Sequence, residues 1–195
     1  MDDSGPGGTI VSAANPTGVP QPVDDQLTRR ATRRPEGTLT VLAATDSPRI
    51  RTEVLHFTTG AGAEFWDLTD VVREVVARSE VQHGQVTVHT PHTTTTIVLN
   101  ESETGFLNDF RRLLDATIPA DGYYEHDDHE LRTENLQEDE YLNGHSHCRQ
   151  MLVGTASVSV PVVDGEVLLG TWQKVLFGEL DQARERRVVV HAQGV

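Results

Sequence analysis

The sequence predicts an α+β domain with mostly antiparallel sheets and two main helices. Two apolar periodicities of helical type are embedded among short β-branched runs. Their order, strand, helix, strand, strand, helix, loop and then several strands, argues for that class, and no internal repeat is present. At 195 residues the chain has room for one compact core plus a tail.

Residues 1–48 are rich in Gly, Pro, Thr, Asp and Ala and lack sustained periodicity, so they are expected to form a disordered or loosely attached tail. Thr38 to Ala44 either adds a short strand or continues that tail, and Ser47-Pro48 marks a break. From Arg49 the texture changes, and a single domain is expected over 49–195, beginning with a strand over Ile50 to Thr58.

The first helix is signalled by Asp67 as a cap and by Leu68, Val71, Val72, Val75 and Val76 on one stripe, with its end expected at His83-Gly84. Gln85 to Val88 and Thr93 to Leu99 read as strands separated by Pro91. The second helix spans about Thr104 to Ala116, with Phe106, Leu107, Phe110, Leu113 and Leu114 on one face. Residues 119–149 are polar and acidic, and a stretch of that length without apolar periodicity marks a functional or mobile segment. The C-terminal part reads as strands over Ala156 to Val162, Val167 to Phe177 and Arg187 to His191, with Asp164-Gly165 as a hairpin turn.

Charge narrows the function classes. The formal charge is −14; six acids and four arginines in residues 1–48 leave 24 acids against 12 basic residues in 49–195. That field repels nucleic acid and anionic membranes, so neither is an expected partner. No apolar run approaches the roughly 18 residues of a membrane span, and the start MDDSGPGG lacks the pattern of a secretory signal, which makes the cytoplasm the expected location. Cys148 is the only cysteine, so any metal site must use His and carboxylates. Its expected role is that of a small buried hydrophobe, because His147 and Cys148 would face opposite ways in a strand.

Several polar residues could carry chemistry. His92 opens the run HTTTTIVLNE and is either a site residue or a hydrogen-bonded histidine at a strand edge. Eight residues of strand span about 26 Å, so His92 and Asn100 share a site only through a bend or a second subunit. Asn100-Glu101, at a strand-to-helix junction, could offer free backbone N–H groups to an anion or simply serve the turn. Asp109 lies at the edge of its helix's apolar stripe. His126 and His129 flank two aspartates, and His145 and His147 point the same way if extended. Imidazoles from several segments would suit a divalent metal. Trp172-Gln173 could stack and hydrogen-bond a heterocycle or pack in the core.

In order, His92-Thr93-Thr94, Asn100-Glu101, Asp109, Tyr124-Glu125-His126, Asn143 to His147, Pro161 to Gly165, Leu169 to Gln173 and Arg186 to Gly194 resemble the recurring motifs of the YjbQ-type family, known as secondary thiamine-phosphate synthases. The resemblance covers roughly Arg49 to Gly194. Thr94 stands where Ser is frequent, His145 is an added imidazole, and 127–141 is unusually acidic.

The resemblance implies a YjbQ-like α+β fold whose two mostly antiparallel sheets form a sandwich-like core, assembled as a homotrimer with His92, His126 and His147 as ligands of a divalent ion, zinc or magnesium, near a subunit boundary. It also implies catalytic roles for Asn100, Glu101 and Asp109 and a small phosphorylated metabolite as ligand. The implied reaction is transfer of a hydroxymethylpyrimidine group from its diphosphate to a thiazole phosphate, with release of pyrophosphate. A non-catalytic metal- or phosphometabolite-binding trimer and a metal-dependent phosphohydrolase are the alternatives.

Fifteen arginines against one lysine, Lys174, together with the acid excess, match a surface adapted to high salt, or else a GC-rich genome that favours Arg codons. Salt adaptation predicts a melting temperature that climbs between low and molar salt; an unchanged one would contradict it.

Overall fold

The computed structural model describes residues 36–46, 48–137 and 139–195, with the side chains of 42–46 left aside. Of the expected tail over residues 1–48, residues 1–35 and 47 lie outside the described residues. Thr38 to Ala44 fall within a strand, β1 (Gly37–Asp46), which pairs antiparallel with β2 (Arg49–Thr58).

The remaining elements follow as β3 (Glu64–Asp67), α1 (Thr69–Ser79), β4 (Gly84–His89), β5 (Thr95–Asn100), α2 (Thr104–Thr117), α3 (Gly144–Val153), β6 (Ser157–Val163), β7 (Glu166–Val167), β8 (Lys174–Glu179) and β9 (Glu185–Gly194). They form a six-stranded sheet in the order β1-β2-β9-β4-β6-β7 and a three-stranded sheet in the order β3-β8-β5. Every described pairing is antiparallel.

The main core lies between the sheets. Leu55 and Phe57 of β2, Val86 and Val88 of β4 and Val188 and Val190 of β9 meet the valines of α1 and Ile97, Val175 and Phe177 of the small sheet. Alternation along β8 turns Leu176 to the other face, where Leu107 and Leu114 of α2 cover it in a second cluster. The predicted α1 stripe is therefore the buried face, and β8 is covered on both sides.

Boundaries depart from the sequence reading where tertiary contacts decide. Asp67 caps α1 from just outside, its Oδ1 accepting from Thr69 N at 2.9 Å. The helix stops at Ser79, where Glu80 takes a left-handed φ of 56°, rather than at His83-Gly84. The run Val167 to Phe177 is two strands broken by a turn, with Gly170 N donating to Gln173 Oε1 at 2.9 Å. The Asp164-Gly165 hairpin is as expected, both residues having positive φ.

The largest departure is α3, a third helix that carries His145 and His147, so the condition under which they would point the same way, an extended backbone, is not met. No helix among the described residues is long and apolar enough to cross a membrane.

Gly194 closes β9 directly opposite Gly84 of β4. A Cβ on Gly194 would run into the His83 carbonyl oxygen and the Val81 side chain, which explains why the last strand ends in glycine.

Candidate functional site

The polar segment between α2 and α3 folds back so that its histidines meet. A single 3-10 turn, Glu125–Asp127, carries His126, and Asp127 Oδ1 accepts from both Asn143 N and Gly144 N at 2.9 Å. Asp127 thereby caps α3 with a carboxylate, which the helix dipole favours. Gly144 is required there, since a Cβ would lie 2.5 Å from Tyr124 Cβ and 3.2 Å from His126 Cβ. The close approach brings the His126 and His147 rings to 4.5 Å between centroids.

On a helix, residues two apart point about 200° away from each other. His147 therefore lines the cavity described next, whereas His145 turns towards the Tyr124 ring, 6.2 Å away. The same geometry exposes Cys148, correcting the expectation of a buried thiol.

An open cavity of about 910 Å³ has His92, His126 and His147 in its walls together with Arg132, Arg184 and Arg186. Each arginine is held by a carboxylate: Arg132 by Glu140 at 2.9 Å, Arg184 by Asp181 at 2.8 Å and Arg186 by Glu179 at 2.6 Å. Glu179 is fully buried, and its two oxygens also accept from Thr59 Oγ1 and Asp181 N. Arg186 donates further to Thr94 Oγ1 at 3.0 Å. Asp181 in turn accepts from Asn143 Nδ2 at 2.9 Å and Ser146 Oγ at 3.3 Å, tying α3 to the β8–β9 turn. The oxygens Asn143 Oδ1 and Glu140 Oε2 are buried without a partner.

His92 Nε2 accepts from the Arg187 backbone N–H at 3.1 Å, so the neutral ring carries its proton on Nδ1. Burial first, and then the cations of Arg186, Arg187 and Arg184, push its pKa down to about 4. Burial, followed by His126, also lowers that of His147. Both imidazoles therefore stand neutral at neutral pH, as uncharged donors or acceptors.

Three imidazoles line one cavity, yet they do not assemble as three ligands of one ion. The Nε2 of His92 is committed to the Arg187 N–H, and that of His126 faces the Arg132 guanidinium at 3.3 Å. Among the described residues no group of three His, Cys, Asp or Glu side chains is arranged to hold a metal.

Asn100, Glu101 and Asp109 lie outside the cavity wall of their own chain. Asn100 Oδ1 accepts from Glu101 N at 2.8 Å, and the α2 N-terminus is not free for an anion because Glu103 accepts from Gly105 N and Phe106 N, both at 2.7 Å. Asp109 is exposed and paired with Arg112. His129 is exposed and, like His145, is not part of the wall; Trp172 is 71% exposed on a turn outside it.

The sequence reading missed Arg132, Arg184, Arg186 and Asp181. Their only sequence signal was the Arg-Arg pair opening the last strand, since each partner is supplied by the fold.

Comparison with known proteins agrees with these motifs. Residues 53–195 match the family described as UPF0047 protein YjbQ-like. A UPF0047 protein of Archaeoglobus fulgidus is 40% identical over 138 residues, 71% of this chain and 98% of that protein. One from Methanothermobacter thermautotrophicus is 35% identical over 145 residues, 74% and 93% respectively. Among solved structures, a YbjQ-like protein of unknown function from Sulfolobus solfataricus superposes with a TM-score of 0.62 at 26% identity, covering 75% of this chain and 99% of that one. An uncharacterized conserved protein of the yjbq/upf0047 family from Clostridium acetobutylicum gives 0.58 at 30% identity, covering 69% and 96%. The chain belongs to the UPF0047, YjbQ-like family.

The depressed pKa of His92 has a definite sign. Between about 4 and 6.5 the unfolded chain takes up more protons than the folded one, so this stabilising contribution is complete above about 6.5 and declines towards pH 4. A proton-detected titration is expected to show His92 protonating near pH 4, and His92→Gln to reduce the loss of urea stability between about pH 7 and 5. Titration of His92 near 6.5 would contradict this placement.

Proposed function

We propose that the cavity binds a small phosphorylated metabolite, and that the observation carrying this reading is the convergence of three guanidiniums and three imidazoles on one wall. Guanidinium donors match phosphate oxygens in geometry as well as in charge. Each arginine is already neutralised by a carboxylate, so recognition works through directed N–H groups rather than net charge. Glu125, Glu134 and Asp139 also line the cavity but are exposed, where water and salt screen them.

In this reading the reaction is thiamine-phosphate synthesis, as the family resemblance implies. The arginines hold the diphosphate and stabilise the charge that develops as pyrophosphate leaves, while the His92 Nδ1–H supplies a neutral donor. No step is assigned to a metal, because the three imidazoles do not form one ligand set. The working assembly is a homotrimer, and Asn100, Glu101 and Asp109 act only by reaching a neighbouring subunit's site.

Calorimetric titration with inorganic diphosphate tests the reading, with zinc or magnesium added separately to test the cofactor expectation. Arg132→Gln and His147→Asn are each expected to weaken binding about tenfold, since a hydrogen bond to a charged group contributes roughly 1.5–3 kcal/mol. Supplying the two thiamine precursors is expected to yield thiamine phosphate. Binding without turnover would favour a sequestering protein, phosphate release from monoesters a hydrolase, and absence of diphosphate binding would sink the reading.

A further inference from the structure

The sequence that leads into β1 is the most basic stretch of an acidic chain. Residues 29–34 read Arg-Arg-Ala-Thr-Arg-Arg, four arginines in six residues with no acid among them. Residues 121–141 are the opposite, holding nine acids against one arginine and no lysine. Glu125, Glu134 and Asp139 of that stretch line the cavity and are exposed, forming an acidic rim.

Strand register brings the two stretches to the same end of the large sheet. Gly37, the first residue of β1, pairs with Phe57, and Phe57 pairs with Arg186, so the three lie in one row across the strands. Two strand spacings of about 4.8 Å place Gly37 roughly 10 Å from the backbone of Arg186, a residue of the cavity wall. Arg34 stands three residues before Gly37 and Arg29 eight, reaches of at most about 10 and 28 Å in an extended chain. The tether therefore spans the cavity mouth.

A second observation points to the chemistry of the occupant. Asn143, 7% exposed, donates through Nδ2 to Asp181, while its Oδ1 lies in the cavity wall with no partner among the described residues. Glu140 Oε2, in the same wall, is buried without one as well. Both are acceptors that call for N–H groups. A phosphate dianion has none to offer, whereas each guanidinium has five.

We propose that residues 29–34 dock across the acidic rim of their own chain's cavity, the guanidiniums donating to the rim carboxylates and to the two orphaned oxygens. The short tether favours this occupant over any free cation, because it holds the segment at high effective concentration. The contact goes beyond the phosphate reading and does not rest on it. Its exposed part weakens as salt screens the rim.

Cys148, the only cysteine and exposed on α3 beside His147, takes a nitroxide label in the full chain and allows a direct test. With no ligand added and at low salt, the amide signals of residues 29–34 are expected to lose most of their intensity relative to the sample with reduced label. Glu134→Gln with Asp139→Asn is expected to restore much of it, with the strand signals unshifted as proof of folding. The broadening is expected to survive dilution of the doubly labelled chain into plain chains. Full intensity in the native chain, or broadening that the rim variant leaves unchanged, would overturn the docking without touching the phosphate reading. Broadening lost on dilution would assign the contact to a second copy and overturn it too.

Discussion

The buried pair between Glu179 and Arg186 joins the two sheets at the end where the cavity opens. Glu179 ends β8 of the small sheet and Arg186 lies near the start of β9 in the large one. Burying such a pair is a poor source of net stability, but removing one partner leaves a charge without water and costs about 3–5 kcal/mol. Its value here is positional. The same carboxylate fixes Thr59 and the Asp181 backbone, the guanidinium fixes Thr94 beside His92, and Asp181 passes the constraint to Asn143 and Ser146 of α3. The segments that carry His92, His147 and Arg184 are tied to that pair directly or through Asp181, and the His126 turn is tied to it through Asp127, Asn143 and Asp181 in series.

This arrangement shows what the sequence could reveal. The α1 stripe was readable because its packing partners lie on one flat face, and the Asp164-Gly165 turn because its chemistry is local. The helix α3 was not readable. It begins in Asn-Gly-His-Ser-His, with a low apolar content, and its start is set by Asp127, sixteen residues away, and by the fit of Gly144 against Tyr124. His92, His126 and His147 were legible as a set only through motif resemblance, which gave their order and not their geometry. The arginines escaped notice because burial beside a carboxylate is a property of the fold, and an arginine in an acidic, arginine-rich sequence stands out from nothing.

The site also alters the expectation that brought the histidines to attention. Two of the three Nε2 atoms are engaged with N–H groups of the chain, so the imidazoles behave as neutral donors and acceptors within an arginine framework. An acidic protein of charge −14 gains little from long-range attraction of an anion, which places the selectivity in short, directed contacts. The exposed carboxylates on the cavity rim and the paired ones beneath it divide the same residue type into two roles, one solvated and one structural.

The most direct test is a crystal structure of the assembled protein grown or soaked with inorganic diphosphate. The account predicts density for the anion against Arg132, Arg184 and Arg186, with His92 or His147 within hydrogen-bond distance of a phosphate oxygen. Diphosphate found elsewhere, with the arginine wall still closed on its own carboxylates, would contradict it.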